Sequence, residues 1–148
     1  MNLLQPISAL MTTELHTLSP SDDLWTAKTV FDKHHIHHIP VVEFKEIVGM
    51  LSKTDLNLFI HGFNKGKDAA ASEKRLKETQ VGEIMTEQLA KLEASDRLRT
   101  ALEVFKMNRF HALPVVKDST DLIGIITTHD IIVALASQPV KLEDYGSM

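Results

Sequence analysis

The chain carries HHIPVV at residues 37–42 and a second version of this stretch, HALPVV, at residues 111–116. Outward from these two stretches, residues 7–42 align without a gap on residues 81–116 at an offset of 74, and 15 of the 36 positions are identical. A one-residue insertion then moves the offset to 75. Because an internal repeat dictates architecture before local propensity is considered, the sequence predicts two copies of one folding unit.

Each copy predicts the same order of elements. Ser21 and Ser95 are candidate N-caps of a first helix, and Ser52 and Thr127 are candidate starts of a second. Between the helices, two β-branched apolar runs joined by a short polar stretch predict a β-hairpin. The residues expected to carry the apolar helix faces are Leu24, Ala27, Val30 and Phe31, Leu98, Ala101, Leu102 and Phe105, Leu56, Phe59 and Ile60, and Ile131, Ile132 and Leu135. We therefore expect an α/β (α+β) fold of two βαββα repeats that pack about a pseudo-twofold axis, since half-domains of about 50 residues bury too little surface alone.

The domain boundaries follow from the repeat. We expect repeat 1 over residues 1–60, a link over 61–80, repeat 2 over 81–137 and a C-terminal tail over 138–148. The link is the least apolar part of the chain, and we expect it to be either mobile or helical, with residues 69–78 favouring helix by propensity.

Composition excludes several classes of function. The 148 residues include no cysteine, which excludes disulfides, thiolate catalysis and cysteine-ligated metals. The formal net charge of -4 offers no general attraction for nucleic acid. No secretory signal and no apolar run of about 18 residues is present, so we expect a cytoplasmic protein without membrane insertion. No convincing nucleophile, base or paired-carboxylate constellation appears, so we expect no enzyme activity.

A motif of Met-Thr, Leu-x-x-Ser-Asp, His-x-h-Pro-Val-Val and Gly-h-h-[Ser/Thr]-x-x-Asp, in which h is apolar, runs through both copies, and the second element reads Leu-Ser-Pro-Ser-Asp in the first copy. It resembles the cystathionine-beta-synthase-type (CBS) repeat family, and the two copies cover nearly the whole chain apart from the link and the tail. The resemblance implies a stand-alone tandem pair, or Bateman module, that binds AMP, ADP, ATP or S-adenosylmethionine. It implies a small-molecule sensor that regulates a separate partner protein and forms a homodimer.

The resemblance also implies two clefts shared between the copies. The first would use Thr12, Thr17, Ile36 and His37 with His111, Thr127, His129 and Asp130. The second would use Thr86, Phe110 and His111 with His37, Ser52 and Asp55. In the family the Asp position accepts hydrogen bonds from the ribose hydroxyls, while the Ser/Thr position and the His before the Pro lie near phosphate or base. The first cleft is favoured, because Lys53 and Thr54 stand where the second cleft would need a His before Asp55.

Other interpretations compete with this one. Ser52, Asp55, Thr127 and Asp130 are also good helix-start residues. Many nucleotide-binding members carry an Arg directly after the His, but His38 and Ala112 stand there. The chain could therefore be an interaction or dimerisation module with empty clefts. A metal-responsive regulator that uses His34 to His38 is the third hypothesis, although Ile36 and Pro40 indicate that the helix ends too early for two imidazoles to converge.

A further prediction concerns contacts between subunits. Trp25 falls beside the buried stripe of the first helix, and with Phe59, Ile60 and Phe63 it could form an apolar patch at which two copies meet. The alternative is a lone exposed aromatic side chain.

Overall fold

In a computed structural model, the structure describes residues 1–63, 69–141, 143 and 146, with the backbone alone at Phe63. Two short 3-10 helices, Ile7–Ala9 and Val81–Glu83, open the two halves. The helices are α1 (Leu24–His34), α2 (Lys53–Phe63), α3 (Ala69–Glu78), α4 (Leu98–Lys106) and α5 (Thr128–Ala136). The strands are β1 (His38–Glu43), β2 (Glu46–Ser52), β3 (Leu92–Glu93), β4 (Ala112–Lys117) and β5 (Asp121–Thr127).

The five strands form one mixed sheet in the order β1-β2-β5-β4-β3. Each half contributes an antiparallel hairpin, β1-β2 or β4-β5, with a register shift at the same place, Val41/Val42 and Val115/Val116. β3 pairs parallel with β4, and its counterpart in the first half is a single parallel bridge from Leu18 to Val41. The predicted fold class of two βαββα repeats is confirmed, with a first strand that is short in both copies.

The first helix of each copy begins later than predicted. The N-cap of α1 is Asp23, whose carboxylate accepts the Thr26 N–H (2.7 Å), and the N-cap of α4 is Arg97. Ser21 and Ser95 lie in the turn before the helix, so their assignment as N-caps is wrong. In each copy the Asp that follows this serine closes the turn with its side chain. Asp22 accepts the Ser19 N–H (2.7 Å), and Asp96 accepts the Glu93 N–H (2.8 Å). An Asp side chain that bonds backbone locally favours a turn over a helix.

Each half of the chain completes the core of the other. Ile7 is fully buried among second-half residues such as Leu98, Leu113 and Ile126. Val81 is fully buried with first-half residues such as Leu24 and Ile39. The crossing is fixed by backbone hydrogen bonds, from Ile7 N to Asp96 O (2.8 Å) and from Val81 N to Asp22 O (2.7 Å). The two halves are therefore one interdependent unit.

The second part of the link, residues 69–78, packs as a helix. The predicted helical tendency of residues 69–78 is confirmed by α3, which buries Leu76 in the first-half core. The Lys77 ammonium lies 5.5 Å from the Trp25 ring centroid, and that of Lys28 lies 5.8 Å away. Trp25, Phe59 and Ile60 are half-buried against this same core. These three side chains thus pack against the core of their own chain. The side chain of Phe63 lies outside the described residues.

The second helices of the two copies differ in burial. α2 packs Leu56, Phe59 and Ile60 against the first core, whereas α5 buries only Ile131 of its predicted apolar face. Ile132 is 60% exposed and Leu135 51% exposed, so this apolar face is buried only at Ile131. Among the described residues no helix is long and apolar enough to cross a membrane.

Candidate functional site

A cavity of about 430 Å³ lies between the halves, within the size range of small-molecule sites. The first half lines it from β1, β2 and α2, and the second half from its opening segment and from the loop before β4. The lining residues are His38, Met50, Ser52, Thr54, Asp55, Thr86, Leu89, Arg109, Phe110, His111 and Ala112. This is the second cleft of the sequence analysis.

The end of β2 and the start of α2 form the polar wall. His38 lies opposite Ser52 across the β1-β2 hairpin. The Ser52 hydroxyl accepts the Asp55 N–H (3.0 Å), which places the Asp55 side chain in the first turn of α2. A hydroxyl, an imidazole and a carboxylate therefore converge at one end of the sheet.

Thr86 reaches the cavity because the second half crosses β2. Thr86 and Met50 exchange two backbone hydrogen bonds of 2.9 Å. The crossing needs a glycine in β2, since a Cβ on Gly49 would lie 3.2 Å from the Thr86 carbonyl oxygen and 2.5 Å from the Met85 Sδ. The same arrangement recurs in the other half, where Thr12 bridges to Ile125 beside Gly124.

The loop between α4 and β4 supplies the opposite wall. Helix α4 ends at Lys106, Asn108 follows in the loop with φ 56°, and the loop continues through Arg109, Phe110 and His111. Phe110 and His111 are predicted site residues, whereas Arg109 was not predicted, because the family's guanidinium is expected directly after the His. The signal available in the sequence was that Arg109 lies in the same short loop, two residues before His111.

The second half contributes four of the predicted first-cleft residues. Thr127, His129 and Asp130 lie at the start of α5, and His111 lies in the loop before β4. Thr127 is the N-cap of α5, and its hydroxyl accepts the Asp130 N–H (3.1 Å) while the Asp130 carboxylate accepts the Thr127 N–H (2.9 Å). His129 is exposed in the same turn, and Thr128 N donates to the His111 carbonyl (3.1 Å).

The remaining first-cleft residues lie on the first half. Thr12 bridges to β5 two residues before Thr127, whereas Thr17 and His37 are exposed and Ile36 is half-buried. His37 also contacts its own half, since its carbonyl accepts the Lys53 N–H (2.8 Å). His37 is absent from the described lining of the second cleft, where its neighbour His38 stands instead. The use of the first cleft stays a prediction.

The two Asp side chains differ in their partners. The Asp130 carboxylate is engaged by the backbone of its own helix start. In the described part of the chain, the Asp55 carboxylate accepts no corresponding bond from Ser52 N. An ionised carboxylate is acceptor-only, so Asp55 presents its oxygens to hydroxyl donors that enter the cavity.

Comparison with known proteins identifies the repeated unit. The CBS domain family matches residues 7–62 and 81–137. The chain belongs to the CBS domain family. It is 29% identical over 123 residues to the CBS domain-containing protein YhcV of Bacillus subtilis, and the match covers 83% of this chain and 80% of that protein. It is also 27% identical over 119 residues to the inosine-5'-monophosphate dehydrogenase of Thermoplasma acidophilum. That match covers 80% of this chain but 21% of the dehydrogenase.

Solved structures share the CBS pair fold. The crystal structure of CBSX2 in complex with AMP is 25% identical with a TM-score of 0.73, covering 88% of this chain and 96% of that chain. A protein from Vibrio cholerae described as a putative acetoin utilization protein (AcuB) is 27% identical with a TM-score of 0.73, covering 91% and 94%. The CBS domain pair of protein MJ0100 in complex with 5-methylthioadenosine and S-adenosyl-L-methionine is 19% identical with a TM-score of 0.75, covering 92% of this chain and 99% of that one, which shows the shared fold.

The histidine-rich segment at the end of α1, residues 34–38, does not form a metal site. α1 ends at His34, and His35 follows with φ 52°. The side chains of His35, His37 and His38 therefore do not continue the helical spacing that would bring two imidazoles together. His34 instead stacks on His16, with ring centroids 3.7 Å apart. Desolvation at the helix end, followed by the charges of His16, Lys33 and His35, lowers the pKa of His34. Among the described residues no group of three or more His, Cys, Asp or Glu side chains could hold a metal ion.

Proposed function

We propose that this CBS pair is a regulatory, non-catalytic module that binds an adenine nucleotide or a related adenosyl ligand in the cavity of the second cleft. The observation that carries the proposal is the convergence of Asp55, Arg109 and His111 on one cavity between the halves. The ligand is a sensed molecule rather than a substrate.

The two walls suit the two ends of such a ligand. The Asp55 carboxylate can accept hydrogen bonds from a ribose diol. Across the cavity, the Arg109 guanidinium carries a fixed charge with donors that match phosphate oxygens, and His111 adds a titratable one. Phe110, Leu89 and Met50 offer apolar contacts for the base. Ser52 and Thr54 add hydroxyl groups to the wall that carries Asp55.

The likeness to CBSX2 supports AMP as the first ligand to test, because that relative is described in complex with AMP. A ligand that contacts both halves would change how they sit together, or how two copies of a homodimer sit together, and a separate protein would sense the change. The first cleft, through Thr127, His129 and Asp130, is a second candidate position for the same ligand class.

Calorimetry with AMP, ADP, ATP and S-adenosylmethionine tests the proposal. We expect Asp55→Ala to weaken the tightest of these ligands by about 10-fold or more, since hydrogen bonds to a charged group contribute about 1.5–3 kcal/mol. Asp130→Ala is the matched control from the other cleft and should leave this affinity unchanged.

Two results would contradict the proposal for the second cleft. Equal affinity of wild type and Asp55→Ala, with a loss in Asp130→Ala, would move the site to the first cleft. No binding of any of the four ligands, with no shift in Tm at saturating concentration, would favour the module with empty clefts.

A further inference from the structure

The turn between β1 and β2 exposes an aromatic side chain. Phe44 is 94% exposed and lies at the tip of this two-residue turn, beside Lys45. Its counterpart in the other repeat is the turn at Asp118 and Ser119. A single exposed apolar residue is ordinary, so the exposure of Phe44 becomes informative only together with its backbone and its surroundings.

The backbone of this turn is unfavourable for its residues. Phe44 has φ 50° and Lys45 has φ 69°, a region in which non-glycine residues are strained and two-residue hairpin turns prefer Asn-Gly. The counterpart turn has φ 54° and 69° but uses Asp and Ser, of which Asp tolerates this region well. Glu93 also holds that turn by accepting the Ser119 N–H (2.9 Å), and no described side chain makes such a bond to Phe44 or Lys45. Neither burial nor local hydrogen bonding accounts for Phe44.

The two turns form one surface, which we call the hairpin edge and define as residues 43–46 and 118–121. Ile47 N donates to Thr120 O (3.1 Å) and Leu122 N donates to Lys45 O (3.0 Å), so the turns lie side by side. Glu46 and Asp121 are the paired residues at which β2 and β5 join the two halves. The hairpin edge lies at the start of β2, about 20 Å from Ser52 at its other end.

The hairpin edge is acidic. Its charged residues are Glu43, Lys45, Glu46, Asp118 and Asp121, which is four carboxylates against one ammonium. Glu46 stands opposite Asp121 on one side and opposite Glu43 on the other, and like charges on paired strand residues are destabilising. Asp121 is also opposite Lys117 on β4, so Glu46 is the carboxylate with like charge on both sides. Within the described part of the chain, none of the four carboxylates forms an ion pair.

We propose that the hairpin edge is the docking surface for a separate protein whose contact site is an apolar pocket rimmed by Lys and Arg. Phe44 enters the pocket, and the rim neutralises Glu46. Aromatic side chains that fill a pocket dominate the affinity of many interfaces, and complementary charge guides the encounter. The surface lies where the two halves are hydrogen-bonded, so a change in their relative position alters its shape. The ligand cavity at the far end of β2 stays open while the partner is bound.

Photo-crosslinking in the cells that naturally produce the chain tests the proposal. Benzoylphenylalanine replaces Phe44, and in a control chain it replaces Leu58, which is 67% exposed on α2. We expect one discrete product from position 44 that is absent from position 58. The product should be lost when the chain also carries Glu46→Lys. That change places a cation opposite Asp121 and removes the like-charge pair, so it should not unfold the chain, and Glu46→Gln is the milder version.

The protein joined at position 44 is then purified, and its Kd is measured against wild type and Phe44→Asn. We expect binding to Phe44→Asn to be at least about 10-fold weaker. The same substitution should raise the Tm by about 2–4 °C, because Asn adopts a positive φ more readily than Phe. The absence of a discrete product, a product that persists with Glu46→Lys, or a product made of two copies of this chain would overturn the proposal. These outcomes do not depend on adenine nucleotide binding, so the proposed function can stand or fail separately.

Discussion

His38 lines the cavity and also affects how the stability of the fold depends on pH. It lies at the start of β1, half-buried in the cavity wall. Burial lowers its pKa below the ordinary 6.5, the charges of His111 and His37 lower it further, and Asp55 raises it. In the folded chain His38 is therefore neutral at a pH where an unfolded histidine already binds a proton.

The sign of the pH dependence follows from linkage. Just below pH 6.5 the unfolded state binds more protons than the folded state, so stability falls as the pH is lowered. His34 has the same direction of shift and adds to the loss. We expect the free energy of unfolding of wild type to fall between pH 7.5 and 5.5, and His38→Gln to show a smaller fall. Urea denaturation at both pH values measures this.

The control for His38→Gln is His61→Gln. His61 is exposed on α2, and the described lining of the cavity does not include it. We expect His61→Gln to keep the pH dependence of wild type. If His38→Gln keeps it as well, the protonation of His38 is not coupled to folding.

At the scale of elements, β2 and β5 are shaped by the segments that cross them. Gly49 and Gly124 occupy equivalent positions, each under a methionine and a threonine carbonyl of the other half's opening segment. The glycines in this motif thus have a steric role, which is to let Thr86 and Thr12 approach the strands. Because Thr86 also lines the cavity, the crossing connects the packing of β2 to the shape of the site.

Gly49→Ala tests this crossing. The added Cβ would lie 2.5 Å from the Met85 Sδ, so the side chain and the Thr86 backbone must shift, and we expect a loss of about 1–3 kcal/mol in the free energy of unfolding. Gly62→Ala on α2 is the matched control. Among the described residues no atom outside its own helix backbone lies within 4 Å of its added Cβ, and alanine favours helix by up to about 1 kcal/mol. A Gly49→Ala variant as stable as Gly62→Ala would show that the crossing adjusts without cost.

At the scale of the whole molecule, the exchange of opening segments makes the two repeats mutually dependent. Residues that precede the first repeat's helix pack in the second core, and residues between the repeats pack in the first. A boundary drawn between the repeats therefore cuts through both cores.

Ile7→Ala tests this dependence. Ile7 is fully buried in the second-half core although it is distant from that half in sequence, and truncation of a buried Ile costs about 2–5 kcal/mol. We expect that loss in the free energy of unfolding by chemical denaturation. Leu4→Ala, at a residue 65% exposed in the same segment, should change stability by about 0.5 kcal/mol or less. Equal, small effects of both would mean that the opening segment is dispensable.

The sequence by itself determined the repeat, the hairpins, the second-helix starts at Ser52 and Thr127, and the helix over residues 69–78. These features depend on local periodicity, capping chemistry and similarity between two stretches of one chain. It also determined the buried stripe of α1, because a 3.6-residue period marks which side chains leave water.

Only the tertiary structure decided what those side chains meet. Apolar burial is non-directional, so the pattern that buries Ile7 does not specify the second half as its partner. Arg109 was missed for a related reason. Its place in the cavity wall depends on how the loop between α4 and β4 packs against β2 and α2 of the other half. The cavity likewise arises from contacts between the halves. The Asp130 carboxylate accepts the Thr127 N–H, whereas in the described part of the chain Asp55 makes no corresponding bond, and two nearly equivalent sequence motifs do not specify this difference.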